Sequence, residues 1–191
     1  MTRVCVYCGS SNLVDPVYLD AAGRLGEVLA ARNIEIVYGG GSVGLMGRLA
    51  DSAMKAGGRV IGIIPKFMDD IEWSHKGISE LITTDGMHQR KAWLLRDSDA
   101  VIALPGGCGT LEELFEAMTF KRLGQFLGPI VLVNIKGYYD RFNDLVMHCI
   151  SENFMDQRHT EMWQTVDRPE DVPRRRTLCR LRPPHPGDEP R

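Results

Sequence analysis

The sequence predicts an α/β fold: a single domain built on an open parallel sheet with helices on both faces. Three observations predict it. Short apolar runs alternate with longer segments whose apolar residues recur at helical spacing. The short runs are apolar throughout, as in strands covered on both sides. Two glycine turns, at 39–44 and 105–109, each follow such a run and open a helix. Open parallel sheets bind ligands at those carboxyl ends.

The elements follow in order. Arg3 to Cys8 reads as a buried strand, with Gly9-Ser-Ser-Asn12 as the turn after it. Asp15 caps a helix whose first residue is Pro16, where a missing N–H costs nothing. Tyr18, Ala22, Leu25 and Leu29 mark its apolar face. Ile34 to Tyr38 is a second strand, and Leu45, Leu49 and Met54 lie on the helix after the first glycine turn. Arg59 to Ile64 is a third strand, stopped by Pro65. Residues 66–77 read as an active-site loop. Ile78 to Thr83 is a short strand, and Asp85-Gly86 begins a helix carrying Met87-His-Gln-Arg-Lys91. Asp99 to Leu104 leads into the second glycine turn. Leu111, Leu114, Phe115 and Met118 read as the apolar stripe of the next helix. Pro129 to Ile135 and residues 138–153 supply one more strand and helix. Residues 1–172 form the domain. From Pro173 to Arg191 the chain carries six arginines and five prolines, which cannot bury a core and predict a disordered tail.

Composition narrows the function. A chain of 191 residues is about one domain. A net charge of −2 leaves no electrostatic footprint for nucleic acid or an anionic membrane. No apolar run approaches the roughly 20 residues of a membrane span. The N-terminus enters a strand within a few residues, so no targeting segment is expected. Five cysteines, an odd and sparse set, point to a reducing cytoplasmic setting. Cys5 and Cys8 form a C-x-x-C inside a strand, with no second pair to complete a metal site, and read as buried thiols.

The chemistry concentrates in Pro105-Gly-Gly-Cys-Gly-Thr-Leu-Glu-Glu113. Its glycines let a ligand approach the backbone. Thr110 reads as the helix N-cap, and the bare N–H groups there favour a phosphate. Glu112, Glu113 and Glu116 follow at once. A phosphate cradle beside carboxylates suggests chemistry on a nucleotide or sugar phosphate. Gly39-x-Gly41-x-x-Gly44 matches the dinucleotide spacing, yet it follows the second strand. The next strand ends in Pro65-Lys66 without the acid that would hold a nicotinamide ribose. Gly39, Gly40, Gly41, Ser42 and Gly44 therefore read as a loop approaching a nucleotide phosphate or ribose. Arg90 shares a helical face with Met87 and Leu94. Near a helix N-terminus the dipole disfavours a cation, so Arg90 and Lys91 call for an anionic ligand or a carboxylate. The alternative is a side chain that snorkels to water. Glu113 also has two readings. Thr110-x-x-Glu113 fits a capping box, while its place opposite the apolar stripe fits a pocket wall or a dimer contact.

The stretches GGGSVGLMG (39–47), MHQRK (87–91) and PGGCGTLEE (105–113) resemble the LOG (Lonely Guy) family over about residues 1 to 170. These are cytokinin riboside 5′-monophosphate phosphoribohydrolases, often labelled lysine decarboxylase-like. The resemblance implies a Rossmann-like fold and a homodimer with the site near the subunit interface. It implies hydrolysis of the N-glycosidic bond of a prenylated AMP, with no cofactor and no metal. Arg90 and Glu113 would be the catalytic pair. Lys91, Gly107, Cys108, Gly109, Thr110, Leu111 and Glu112 would contact the nucleotide, as would Glu72 and Thr119. The sequence departs from the family at Cys108, where a bulkier residue is common, and at Phe120-Lys-Arg-Leu-Gly124. Nothing in it resembles a lysine Schiff-base site for pyridoxal phosphate, so lysine decarboxylation is disfavoured. A general AMP hydrolase and a non-catalytic nucleotide-binding module are the rival readings.

Overall fold

The first strand of the chain is the middle of the sheet. In the computed structural model, which describes residues 2–70 and 73–173, seven parallel strands stand in the order β4-β3-β2-β1-β5-β6-β7. They are β1 (Arg3–Tyr7), β2 (Glu35–Tyr38), β3 (Val60–Pro65), β4 (Glu80–Thr84), β5 (Ala100–Ala103), β6 (Ile130–Val133) and β7 (Trp163–Val166). The helices are α1 (Pro16–Ala30), α2 (Gly44–Lys55), the single turn α3 (Lys66–Asp69), α4 (Met87–Leu95), α5 (Cys108–Arg122) and α6 (Asp140–Ser151). The anticipated architecture is the observed one, with β7 added beyond it. The anticipated tail and Glu72 lie outside the described residues.

The inner strands alternate between two cores. Val4, Val6, Ile36, Tyr38 and Ile102 pack with α1 and α2 through Leu25, Leu29, Leu45 and Leu49. Cys5, Tyr7, Val37, Ile63, Val101 and Leu132 pack on the other face with Leu94, Leu114, Met118, Phe142 and Val146. Both faces of the inner strands are therefore dry, which is why β1, β2, β3, β5 and β6 carry no polar side chain beyond Arg3 and Glu35 at two strand starts. Cys5 and Cys8 fall in different cores, and burial raises both thiols well above their ordinary range. They are inert packing groups.

The strand order reverses at β1, which pairs with β2 on one side and β5 on the other. That reversal opens a crevice at the carboxyl ends of β1 and β5. Here the Gly9 N–H donates to the Pro105 carbonyl at 3.1 Å and joins the two turns. At the opposite end, charges alternate across the strand starts. Glu35 receives both Arg3 and Arg59, the latter at 2.6 Å, and Arg59 also reaches Glu80 at 2.7 Å.

Candidate functional site

α4 and α5 bring the two expected catalytic residues together. Arg90 and Glu113 are buried, 8% exposed each, and their Nη1 and Oε1 atoms lie 2.6 Å apart. Arg90 also donates through Nε to the Ile63 carbonyl at 3.2 Å. A snorkelling arginine is thereby excluded. The misfit of two cations near the start of α4 is resolved by α5, which presents three carboxylates. Lys91 pairs with Glu112 and lies 3.2 Å from Glu116. Three carboxylates against two cations leave the cluster with an excess negative charge.

Burial pushes the Glu113 carboxyl above its usual range, and Arg90 and Lys91 hold back part of that rise. A carboxylate held this way is a stronger base than one in water, yet its ionised form keeps a partner.

The capping box is not formed. α5 begins at Cys108 with Gly107 as its N-cap, three residues before the anticipated cap, so Thr110 lies inside the first turn. Glu113 is freed from capping and turned toward Arg90. The buried stripe of α5 is Thr110, Glu113, Leu114, Ala117 and Met118. Leu111 is half-buried, and Phe115 is 41% exposed. The stripe lies one residue away from the apolar pattern because an arginine on the neighbouring helix gives a carboxylate a partner inside.

The two glycine turns differ in what they offer. In the first, Gly44 donates its N–H to Asn12 Oδ1 at 2.8 Å, and Ser42 donates its N–H to the Trp73 carbonyl at 3.2 Å. Those two amides are already engaged, so the anticipated phosphate loop at 39–44 is not free at either. The turn also seats Arg90. A Cβ at Gly39 would come within 2.4 Å of the guanidinium, so only glycine leaves room for it there. Gly40, at φ 77°, makes the bend, and its carbonyl accepts from the His75 N–H at 2.8 Å. Part of the 66–77 loop thus lies across this turn.

In the second turn Gly107, Cys108 and Gly109 are exposed at the N-terminus of α5. Thr110 is buried, with its hydroxyl over Gly106, where a Cβ would come within 2.1 Å. Exposed amides at a helix N-terminus suit an anion, which makes this turn the candidate cradle. Glu112 and Thr119 lie on exposed positions of α5, and the Thr119 hydroxyl donates to the Phe115 carbonyl at 2.8 Å. Thr119 is not drawn into the Arg90–Glu113 pair. A cavity of about 350 Å³ between the first turns of α1 and α2 is lined by Asn12, Asp20, Ser42, Arg48 and Asp51 among others. Its acids are exposed, and neither Arg90 nor Glu113 reaches it.

Sequence reasoning missed the support behind the cradle. Tyr139 donates to the Leu104 carbonyl at 2.7 Å, and Tyr138 donates to that of Gly106. No spacing in the sequence signals this, since the partners are backbone atoms some thirty residues away.

A family model described as "Possible lysine decarboxylase" matches residues 46–175. The probable cytokinin riboside 5′-monophosphate phosphoribohydrolase LOGL2 of Oryza sativa subsp. japonica is 48% identical over 153 residues, 80% of this chain and 63% of that protein. The chain thus spans less than two thirds of that relative. The cytokinin riboside 5′-monophosphate phosphoribohydrolase LOG2 of Arabidopsis thaliana is 46% identical over 80% of this chain and 72% of its own length. Among solved structures, the molybdenum cofactor binding protein of Rippkaea orientalis aligns with TM-score 0.66 at 25% identity, covering 88% of this chain and 91% of that one. The Moco carrier protein of Chlamydomonas reinhardtii aligns with TM-score 0.66 at 20% identity, over 88% of this chain and 90% of its own. With its glycine turns, its Arg90–Glu113 pair and these relatives taken together, the chain belongs to the LOG family.

Proposed function

We propose that the protein hydrolyses the N-glycosidic bond of cytokinin riboside 5′-monophosphates, releasing the free base and ribose 5-phosphate. The observation that carries this reading is the buried Arg90–Glu113 pair beside an open anion cradle. The names of the rice and Arabidopsis relatives support the same reaction.

The cradle at Gly107, Cys108, Gly109, Thr110 and Leu111 takes the 5′-phosphate and so places the ribose. Lys91, Glu112 and Thr119, with Glu72 from the loop, contact the rest of the nucleotide. The bond between C1′ and the base nitrogen breaks, and positive charge grows on the ribose. Ionised Glu113 faces that charge and accepts a proton from the attacking water. Water adds at C1′, the departing base takes a proton on nitrogen from solvent, and Glu113 returns the proton it accepted to solvent. Arg90 keeps Glu113 charged and aimed. The excess negative charge of the cluster suits a cationic transition state.

The active unit in this proposal is a homodimer with the site near the interface. Support comes from apolar side chains left outward on the site helices, Phe115 on α5 and Met87 on α4. Light scattering after gel filtration gives the oligomeric state.

The deciding experiment incubates purified protein with prenylated AMP and with plain AMP and follows free base. Release from prenylated AMP supports the proposal. Equal release from AMP identifies a general nucleotide hydrolase. Tight nucleotide binding without turnover identifies a binding or carrier protein, the roles named for the Rippkaea and Chlamydomonas proteins of the same fold.

A further inference from the structure

The turn between β5 and α5 has little stiffness of its own. Gly106 and Gly107 are two of its residues, and glycine takes many backbone conformations. A cradle made of such chain loses affinity if it must be ordered when the anion arrives. Something outside the turn has to fix it.

Tyr138 does so at one peptide. Its hydroxyl donates to the Gly106 carbonyl at 2.5 Å. No cis peptide occurs among the described residues, so the Gly106 carbonyl and the Gly107 N–H belong to one trans unit and point opposite ways. Holding the carbonyl toward Tyr138 sends the Gly107 N–H to the far side of the turn. The turn has room beside it, since nothing lies within 4 Å of a Cβ placed on Gly107 or Gly109.

The tyrosine is itself braced. Its ring meets Tyr18 edge-on at 6.1 Å and Tyr139 edge-on at 5.3 Å. The Tyr139 N–H donates to Asn134 Oδ1 at 2.7 Å, and Lys136 reaches back to Asp15 at 2.7 Å. Lys136 and Gly137 bend the chain with φ of 56° and 70° to deliver the ring there. Tyr138 is nonetheless 37% exposed, so filling the core does not account for it.

We propose that Tyr138 is a positioning residue: its hydroxyl orients the Gly106–Gly107 peptide so that the Gly107 N–H faces the 5′-phosphate of the nucleotide. This rests on the nucleotide reading above. Tyr138→Phe keeps the ring and its packing and removes only the hydroxyl. The bared Gly106 carbonyl is partly exposed and can turn to water.

The test compares wild type with Tyr138→Phe in three measurements. These are the melting temperature, the calorimetric Kd for ribose 5-phosphate, and kcat and KM for a nucleotide and its matching nucleoside. The expected melting temperature stays within about 2 °C. Kd for ribose 5-phosphate and KM for the nucleotide rise about 10-fold, the scale of one hydrogen bond to a charged group. The nucleotide kcat stays within about 2-fold, and kcat/KM for the nucleoside, which has no phosphate to place, is unchanged. An unchanged Kd for ribose 5-phosphate overturns the role of Tyr138, as does an equal loss on nucleotide and nucleoside. Wild type that binds ribose 5-phosphate without cleaving the nucleotide overturns the hydrolase reading alone, and the Kd comparison still decides the fate of Tyr138. Wild type that does not bind ribose 5-phosphate overturns the cradle and the role of Tyr138 with it.

Discussion

Glu113 carries opposite demands at a single carboxyl group. Burial makes the folded protein hold its proton more tightly than the unfolded chain does. Its contribution to stability therefore falls as pH rises from the ordinary glutamate value through the raised one. The ionised form is the one that works as a base, so activity rises across that same window. Measured against Glu113→Gln, wild type should lose relative melting temperature while its kcat/KM climbs. Arg90→Ala removes the nearest cation and should move the acid limb of the remaining activity to higher pH. Glu113→Gln should cut kcat by roughly 100-fold or more. It should also cost about 1–3 kcal/mol, because a buried arginine loses its charged partner. The double variant should be little worse in kcat than the worse single variant, since the two act as a unit. Gly39→Ala tests the seat of Arg90: the added Cβ displaces the guanidinium, and turnover should fall with KM for the nucleotide changing less. At this scale the sequence was half legible. A cation near a helix start announced that Arg90 needed an anionic ligand or a carboxylate, and beyond what the family resemblance implied, only the packing of α4 on α5 puts Glu113 rather than its two neighbours against it.

Strands and helices were read well where period and punctuation agreed. Asp15 and Pro16 began α1 as anticipated, and Asp15 Oδ1 accepts the Val17 N–H at 3.0 Å. The start of α5 was misplaced because Thr110 and Glu113 have the spacing of a capping box, and glycine at 107 capped the helix instead. β7 escaped notice because Trp163-Gln-Thr-Val166 is short and only partly buried at the sheet edge. The first glycine turn has the spacing of a nucleotide loop, and spacing does not reveal that Asn12 and Trp73 take two of its amides. The ion network at the strand starts joins β1 to β4 by charge alternation and lies far from the crevice. Glu35→Gln should lower unfolding free energy by about 1.5–3 kcal/mol in denaturant titration, the loss of two charge-assisted bonds to a buried carboxylate. The kcat/KM of that variant should match wild type, which distinguishes a structural charge cluster from the catalytic one.

For the whole molecule, the fold continues to the last described residue. Val172 is fully buried in the core on the α1 and α2 side, and the Pro173 carbonyl accepts from Arg32 at 2.8 Å. A chain ending at Pro173 should keep both its melting temperature and its turnover. Removing 170–173 as well should cost about 2 kcal/mol or more, the burial of one valine plus the Arg24–Glu170 pair. Equal stability of the two truncations would place the boundary earlier. The expected domain limit at 172 came from the arginines and prolines after it, and no pattern in the sequence signalled that Val172 is buried.

The central place of β1 also bears on synthesis. The ribosome releases β1 well before its second neighbour, β5, which starts near residue 100. At about 5–20 residues per second, roughly 5–20 s separate the two. During that interval β1 through β4 can pair, leaving one flank of Val4-Cys-Val-Tyr7 without a partner in the middle of what will become the driest part of the sheet. Such an apolar edge invites pairing with another chain. Nascent chains stalled before residue 100 should therefore cross-link to holding chaperones through β1, and chains stalled after α5 has left the tunnel should not.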